Sequence, residues 1–505
     1  MSNNPLKRLS FAAFALLLLA GLLASGCATA PAPAEAPAKS EVPTPADTAE
    51  QPKDPNDAYL STYKPLPSSP VLITNATILT AAGDRIEGGS ILLQDGRIAA
   101  VGRGVQAPAG AITVDATGKW VTPGLIDAHS HLGVYPSPGD DANADGNEMT
   151  NPVTAEVWAE HSVWPQDPQF PLSLAGGVTA MLILPGSANL IGGRSVTVKN
   201  LPAQHVNQMK FPDAPYGLKM ACGENPKRVY GEKGRAPSTR MGNVAGYRRA
   251  WIDAGEYRRQ WNEHRERQSR KKESQDQDQA QGAPAGGDRT PVRDLSKETL
   301  AGVLDGEILV QNHCYRADEM LTMIDIAREF GYKITTFHHA VEAYKIADVL
   351  AREGICSAIW ADSWGFKMEA LDGIVENAAI LQKAGACVVI HSDSAQVIQR
   401  LNQEAGKAMG AGLRMGLDLR AEDVIRWITI NPAKSMGIDD QTGSLEVGKM
   451  ADVVVWSGDP FSVYSRAEKV YIDGGLAYDR NDPSKRPRTD FELGLVELED
   501  AGGER

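Results

Sequence analysis

Two histidines stand two residues apart, His129 and His131, at the end of the stretch "VTPGLIDAHSHLG" running from Val121 to Gly133. On a β-strand, residues i and i+2 face the same side, so the two imidazoles point one way, with Asp127 on the same parity. One such pair is weak evidence for metal binding, because a packed histidine beside a solvated one gives the same pattern. Further donors follow at the ends of other strand-like runs. "EILVQNHCY" ends in His313, with Gln311 on the same face; "KITTFHHA" ends in His338 and His339; "ACVVIHSD" ends in Asp393. Five of the nine histidines lie at three such ends. Imidazoles converging with a carboxylate suit zinc and similar divalent ions. A divalent ion lowers the pKa of bound water from about 15.7 to about 7 and polarises a carbonyl, which is the chemistry of hydrolysis. Asp393 can then take the water's proton and return it to a leaving nitrogen. A neutral histidine at 338 or 339 can stabilise an oxyanion. His391 shares parity with Asp393 one layer deeper and reads as an orienting or packing group.

Such donors need a scaffold that brings strand ends together. The strand candidates in order are "VTPGLIDAHSH", "GVTAMLIL", "SVTVK", "GLKMACG", "EILVQNHCY", "KITTFHHA", "CSAIWAD" and "ACVVIHSD". Eight of them, with helical spacing in "DEMLTMIDIAREFG" and "AYKIADVLAREG", predict a (β/α)8 TIM-like barrel over 121–439, whose sites lie at the C-terminal ends of its strands. Short alternating strands over 70–120 return at 440–480, which predicts a small β-sandwich domain built from both chain ends. A charged stretch at about 241–296 reads as a charged helix trailing into a low-complexity loop, a solvated insertion, and His264 within it is not expected to be a ligand. Cys222, Cys314, Cys356 and Cys387 lie in or beside apolar runs and read as buried free thiols rather than bridges.

The chain carries a formal net charge of −13 over 505 residues, which argues against broad nucleic-acid binding. The expected partner is a small-molecule substrate, and the sequence leaves the oligomeric state open. Lys7 and Arg8 precede an apolar stretch from Phe11 to Ala24, and "LLASGC" ends at Cys27. The pattern predicts a lipoprotein-type signal over 1–26, lipidation of Cys27, and an Ala/Pro-rich tether over 27–69. Ala28 follows the cysteine, so the expected address is a periplasm-facing outer-membrane lipoprotein, the membrane being touched only through the lipid; plain secretion to the periplasm is the alternative.

The motif "PGLIDAHSHLG", the strand-end His and Asp, and "GSLEVGKMADVVVWSGDP" together resemble the amidohydrolase superfamily, in particular its imidazolonepropionase-like branch, which also holds related dipeptidases. The resemblance runs from about Pro70 to Tyr478. It implies metal ligation by His129, His131, His313 and Asp393. It also implies His339 rather than His338, because the family often reads His-x-x-Glu-Ala-Tyr where this chain has "HAVEAY"; strand parity alone does not choose between them. Two-metal members carry a bridging ligand on the fourth strand, a carbamylated lysine or a glutamate. "GLKMACGENPK" offers Lys219 and Glu224; with neither, the site holds one ion. Arg316 and Arg194 can pair with a substrate carboxylate or form ordinary salt bridges. The expected activity is metal-dependent hydrolysis of C–N bonds in cyclic amide or peptide-like substrates, with zinc as the expected metal, one or two per chain. Deamination, lactone or ester hydrolysis on the same site, and a binding lipoprotein without catalysis are the alternatives.

Overall fold

In a computed structural model that describes residues 59–277 and 290–486, Pro123 and Gly124 divide what the sequence presents as one strand. Strands β1 (Val71–Ile78), β2 (Ile86–Gln94), β3 (Arg97–Gly102), β4 (Ile112–Asp115) and β5 (Trp120–Pro123) lie in one sheet, and β6 (Leu125–Ser130) opens another. Gly124 is the pivot. A Cβ there would sit 2.1 Å from Thr179 Oγ1, so only glycine lets the chain cross between the sheets at this point.

The second sheet continues with β7 (Val178–Ile183), β8 (Ile191–Lys199), β9 (Gly217–Ala221), β10 (Leu309–Cys314), β11 (Ile334–His339), β12 (Cys356–Ile359) and β13 (Cys387–Ile390), each paired with the next in order. These eight strands form a nearly closed barrel. Its seam between β13 and β6 is spanned by Asp393 N–H donating to His129 O (3.1 Å) and Ser392 N–H donating to Asp127 Oδ1 (3.2 Å). Asp127 thus ties the barrel shut; burial raises its carboxyl to about 7 against the opposing hydrogen bonds from Ser392 and His129. The barrel departs from an all-parallel (β/α)8 design at β8, which is antiparallel to both neighbours. The link 184–190 is too short for the crossover that a parallel return requires, so β7 and β8 form a hairpin. Later helices follow the expected pattern: Ala317–Phe330 and Ala347–Glu353 end on Gly331 and Gly354, both at positive φ (76° and 67°).

Three further strands, β14 (Val453–Trp456), β15 (Ala467–Ile472) and β16 (Gly475–Asp479), complete the first sheet, β14 pairing with β5. Both chain ends therefore contribute to one eight-stranded sheet, continuously hydrogen-bonded in the order β16-β15-β14-β5-β1-β2-β3, with β4 beside β1. A buried ion cluster joins it to the barrel. Lys199 of β8 donates to Asp452 Oδ1 and Oδ2 (3.0 and 3.1 Å) and to Asp473 Oδ1 (2.9 Å), and Tyr63 donates to Asp473. Asp452 is the aspartate of the "GKMAD" segment, so this motif serves docking of the two sheets. The Tyr63 contact also shows that the end of the expected tether is held by the body of the protein. Lys199→Ala would leave two buried carboxylates without their cation. We expect a loss of about 3–5 kcal/mol in urea unfolding; a loss below 1 kcal/mol would remove this cluster from the docking role.

Two sequence expectations fail for tertiary reasons. The four thiols form two bridges, Cys222–Cys314 and Cys356–Cys387. Apolar flanks suggest burial, but neighbouring strands also bring each pair of Cα atoms to 5.2 and 4.5 Å, within bridging reach. The charged insertion is a helix, Arg240–Gln277, and its first half is not merely solvated: Tyr247, Trp251 and Ala254 are buried in the main core. His264 lies beside Trp261 in that helix, outside both groups of potential metal ligands. The signal, Cys27, most of the expected tether and residues 278–289 lie outside the described residues. No described helix is long and apolar enough to cross a membrane.

Candidate metal centre

The strand ends bring His129, His131, Lys219 and Asp393 to one point. His129 Nε2 is 3.3 Å from His131 Nε2 and 3.6 Å from Asp393 Oδ1; His131 Nε2 is 3.3 Å from the same oxygen; Lys219 Nζ is 3.4 Å from His129 Nε2. Donors around a tetrahedral zinc with bonds of about 2.0–2.1 Å stand about 3.3–3.4 Å apart. The set has the spacing and chemistry of a divalent-ion site.

Hydrogen bonds set the tautomers. Gln311 donates its amide N–H to Ser435 O (2.8 Å), which turns Oε1 toward His338 Nε2 (2.7 Å). His338 therefore donates from Nε2 and accepts at Nδ1 from His129 Nδ1–H (2.9 Å), leaving the His129 Nε2 lone pair free for an ion. His131 donates Nδ1–H to Leu184 O (2.8 Å), freeing its Nε2 in the same way. Beside His313 of β10, Lys367 donates to Asn225 Oδ1 (3.1 Å), so the Asn225 amide N–H faces His313 Nε2 (3.4 Å) and His313 Nδ1–H faces Ser187 Oγ (2.9 Å).

The two adjacent histidines of β11 separate clearly. Both nitrogens of His338 are engaged in orienting His129. His339 Nδ1 has no hydrogen-bond partner, lies 3.8 Å from Asp393 Oδ2, and its ring packs 4.5 Å from both His129 and His313. The carboxylate of Asp393 thus presents Oδ1 to the His129–His131 pair and Oδ2 to His339. His339 and Asp393 both occupy left-handed backbone (φ 68° and 49°), a costly conformation for such residues that recurs at functional sites. His391 groups with His129 and His339 as a potential ligand set, and neither of its ring nitrogens has a partner, a role its sequence position did not signal.

Burial, reinforced by Lys219 and neighbouring imidazoles, holds His129 and His338 well below the usual histidine range. His313 and His339 are lowered in the same way, burial first, and His391 falls to about 4. Neutral imidazoles with free lone pairs are the ligand form. Burial alone would raise Asp393, but the His131 hydrogen bond and the electrostatic influence of His131, His391 and Lys219 outweigh it and lower the carboxyl below its ordinary value. Lys219 is driven down to about 7 by burial, against the pull of Asp393.

The other sequence candidates stand elsewhere. Glu224 begins the helix Glu224–Gly231 and pairs with Lys367 at 3.4 Å; it belongs to neither potential ligand group. Arg316 pairs with Asp318 (2.9 Å) and is 39% exposed. Arg194 is buried with its guanidinium over the rings of Trp158 and Tyr216 and its Nε donating to Thr299. These contacts engage both guanidinium groups within the protein.

A barrel with imidazole and carboxylate donors converging at its strand ends defines the class of metal-site hydrolase barrels. The amidohydrolase family matches residues 280–481. The crystal structure of an amidohydrolase from Thermotoga maritima is similar at 37% identity and TM-score 0.71, covering 81% of this chain and all of that one. Amidohydrolase tasK of Hapsidospora irregularis is 33% identical over 493 residues, 90% of this chain and 48% of that protein, so the chain spans about half the length of this relative. Imidazolonepropionase of Mesorhizobium japonicum is 24% identical over 77% of this chain and 90% of its own length. The chain belongs to the amidohydrolase family.

Proposed function

We propose that this chain hydrolyses C–N bonds of small cyclic-amide or peptide-like molecules, with zinc as its metal, held by His129, His131, His339 and Asp393, and by His313 once its Nε2 gives up the 3.4 Å contact with the Asn225 amide. The observation that carries the reading is the convergence of the His129, His131 and Asp393 donor atoms at 3.3–3.6 Å. The ion would supply a water activated near neutral pH and a polarised substrate carbonyl. Asp393, its carboxylate set between the His129–His131 pair and His339, takes the water's proton and passes it to the leaving nitrogen. The Gln311–His338–His129 chain keeps a lone pair aimed inward throughout. Lys219 is the proposed bridge between two ions, as its carbamate; its burial against His129 favours it over Glu224. The terminal sheet reads as the small sandwich of such enzymes, its apolar cluster of Ile73, Ile91, Val121 and Val455 enclosed by strands from both chain ends.

The test is a panel of dipeptides, hydantoins and lactams, with aminopurines and lactones beside them, assayed on zinc-loaded protein and after chelation. Amide hydrolysis lost on chelation and restored by zinc is expected. Turnover confined to aminopurines or lactones would replace this reading with deamination or ester chemistry, and no turnover by fully loaded protein would favour a binding role.

We also propose the periplasm-facing outer-membrane lipoprotein address. The charged start, apolar run and "LASGC" support it, and the two disulfides fit an oxidising compartment. In cells fed a palmitate analogue, the wild type is expected to take the label and Cys27→Ser to lose it. An unlabelled wild type would refute the anchor.

A further inference from the structure

The loop after β12, residues 360–376, builds a wall of the candidate site that has no counterpart among the arginines first considered for substrate. The Trp360 ring stacks on His339 (4.5 Å, 27°), and its Nε1–H donates to Ser392 O (3.3 Å). Tyr315, two residues beyond His313, lies 4.7 Å from the His313 ring and 6.0 Å from Trp360. Phe366 stands edge-on to Trp360 at 5.6 Å, with more than half of its surface open to solvent. Against this aromatic wall lies a single ammonium group: Lys367 Nζ sits 3.9 Å from the Tyr315 ring centroid.

An ammonium has three donors. One goes to Asn225 Oδ1 at 3.1 Å, and Glu224 approaches only to 3.4 Å, from the first turn of a helix whose dipole already favours its charge. The third has no oxygen or nitrogen partner among the described residues. The Lys367 side chain keeps 18% of its surface; it is ion-paired with Glu224 and feels Glu369 as a second carboxylate, yet one of its N–H donors stays open. A cation held beside an aromatic wall and next to the metal ligand His313 has the chemistry of an anion receptor. Arg316, the sequence candidate for that role, is committed to Asp318.

We propose that Lys367 is the specificity-determining residue that receives a substrate carboxylate, with Trp360, Tyr315 and Phe366 flanking the flat or apolar part of the same molecule. The substrate class is therefore an amide or peptide bearing a free carboxylate near the scissile C–N bond. This rests on the hydrolase reading given above. It also competes with a purely positioning role, because Lys367 orients Asn225 and through it His313.

The experiment compares glycyl-phenylalanine with glycyl-phenylalaninamide on zinc-loaded wild type, Lys367→Met and Lys367→Arg. Bound metal is measured in each protein, and binding of N-acetyl-phenylalanine and its amide by calorimetry. The wild type is expected to favour the acid about 10- to 100-fold, as a charge-assisted hydrogen bond allows. Lys367→Met should erase that preference through KM for the acid, and Lys367→Arg should restore part of it. A preference unchanged in Lys367→Met, or absent from the wild type, overturns the proposal. So does an equal loss on acid and amide together with loss of metal, which would mark Lys367 as a positioning residue only. If the loaded wild type hydrolyses neither peptide yet binds the acid preferentially through Lys367, the hydrolase reading fails and the carboxylate receptor stands.

Discussion

His131→Ala is expected to strip metal from the protein and to lower kcat/KM by about 10³-fold or more, beyond the 10–100-fold typical of losing an outer orienting partner. His131 is the cleanest member of the set to remove. Its Nε2 faces His129 and Asp393 at 3.3 Å each, while its only other polar contact among the described residues is Nδ1–H to Leu184 O. Removing His129 would also leave His338 Nδ1 unpaired in the core and confuse loss of metal with loss of fold. Metal analysis, circular dichroism and turnover on one preparation separate these effects. Gln311→Leu is the companion. It touches no ion, yet it releases the tautomer of His338 and hence of His129, so a 10–100-fold weaker metal affinity is expected. Native metal content and activity in His131→Ala would take that residue out of the site.

Lys219→Ala is expected to have the second largest effect. The amine lies 3.4 Å from His129 Nε2 and is fully buried. As an ammonium it would repel an ion placed there. As a neutral amine it can add to carbon dioxide, its nitrogen bonding to the carbon as one N–H proton departs, and the resulting carbamate is an anion that two ions can share. Burial lowers the amine to about 7, so the reactive neutral form dominates at pH 8 and recedes by pH 6. Loading with zinc and bicarbonate should accordingly be more complete at the higher pH. Wild type is then expected to hold about two ions per chain, which such sites keep roughly 3.5–4 Å apart. Lys219→Ala should hold one or none, and a short-chain carboxylic acid should partly restore activity. Glu224→Ala should leave the stoichiometry unchanged. Loss of the second ion in Glu224→Ala but not in Lys219→Ala would reverse the assignment.

Much of this architecture was legible in the chain because strand parity and strand ends are local properties. His129 and His131 share a face by alternation, and His313, His339 and Asp393 each close an apolar run. What escaped was decided by partners distant in sequence. Nothing in "SVTVK" shows that β8 runs against its neighbours; only the short link 184–190 hints at it. The crossing at Gly124 depends on Thr179, more than fifty residues away. Free thiols and bridges share the same apolar flanks, and the pairing distance is set by strand order. His338 and His339 differ through Gln311, whose orientation is fixed by Ser435. Lys367 sits in a loop with no periodicity, and its role emerges only when Tyr315, Asn225 and His313 are brought beside it.

The central claim is that His129, His131 and Asp393 converge to hold a divalent ion. Anomalous scattering at the zinc edge, from crystals of protein prepared with zinc and bicarbonate, tests it most directly. The expected result is a peak about 2.0–2.1 Å from both histidine Nε2 atoms and from Asp393 Oδ1, with a second peak between Lys219 and His339. A map with no peak at His129 and His131, in protein shown by mass analysis to carry zinc elsewhere, would contradict it.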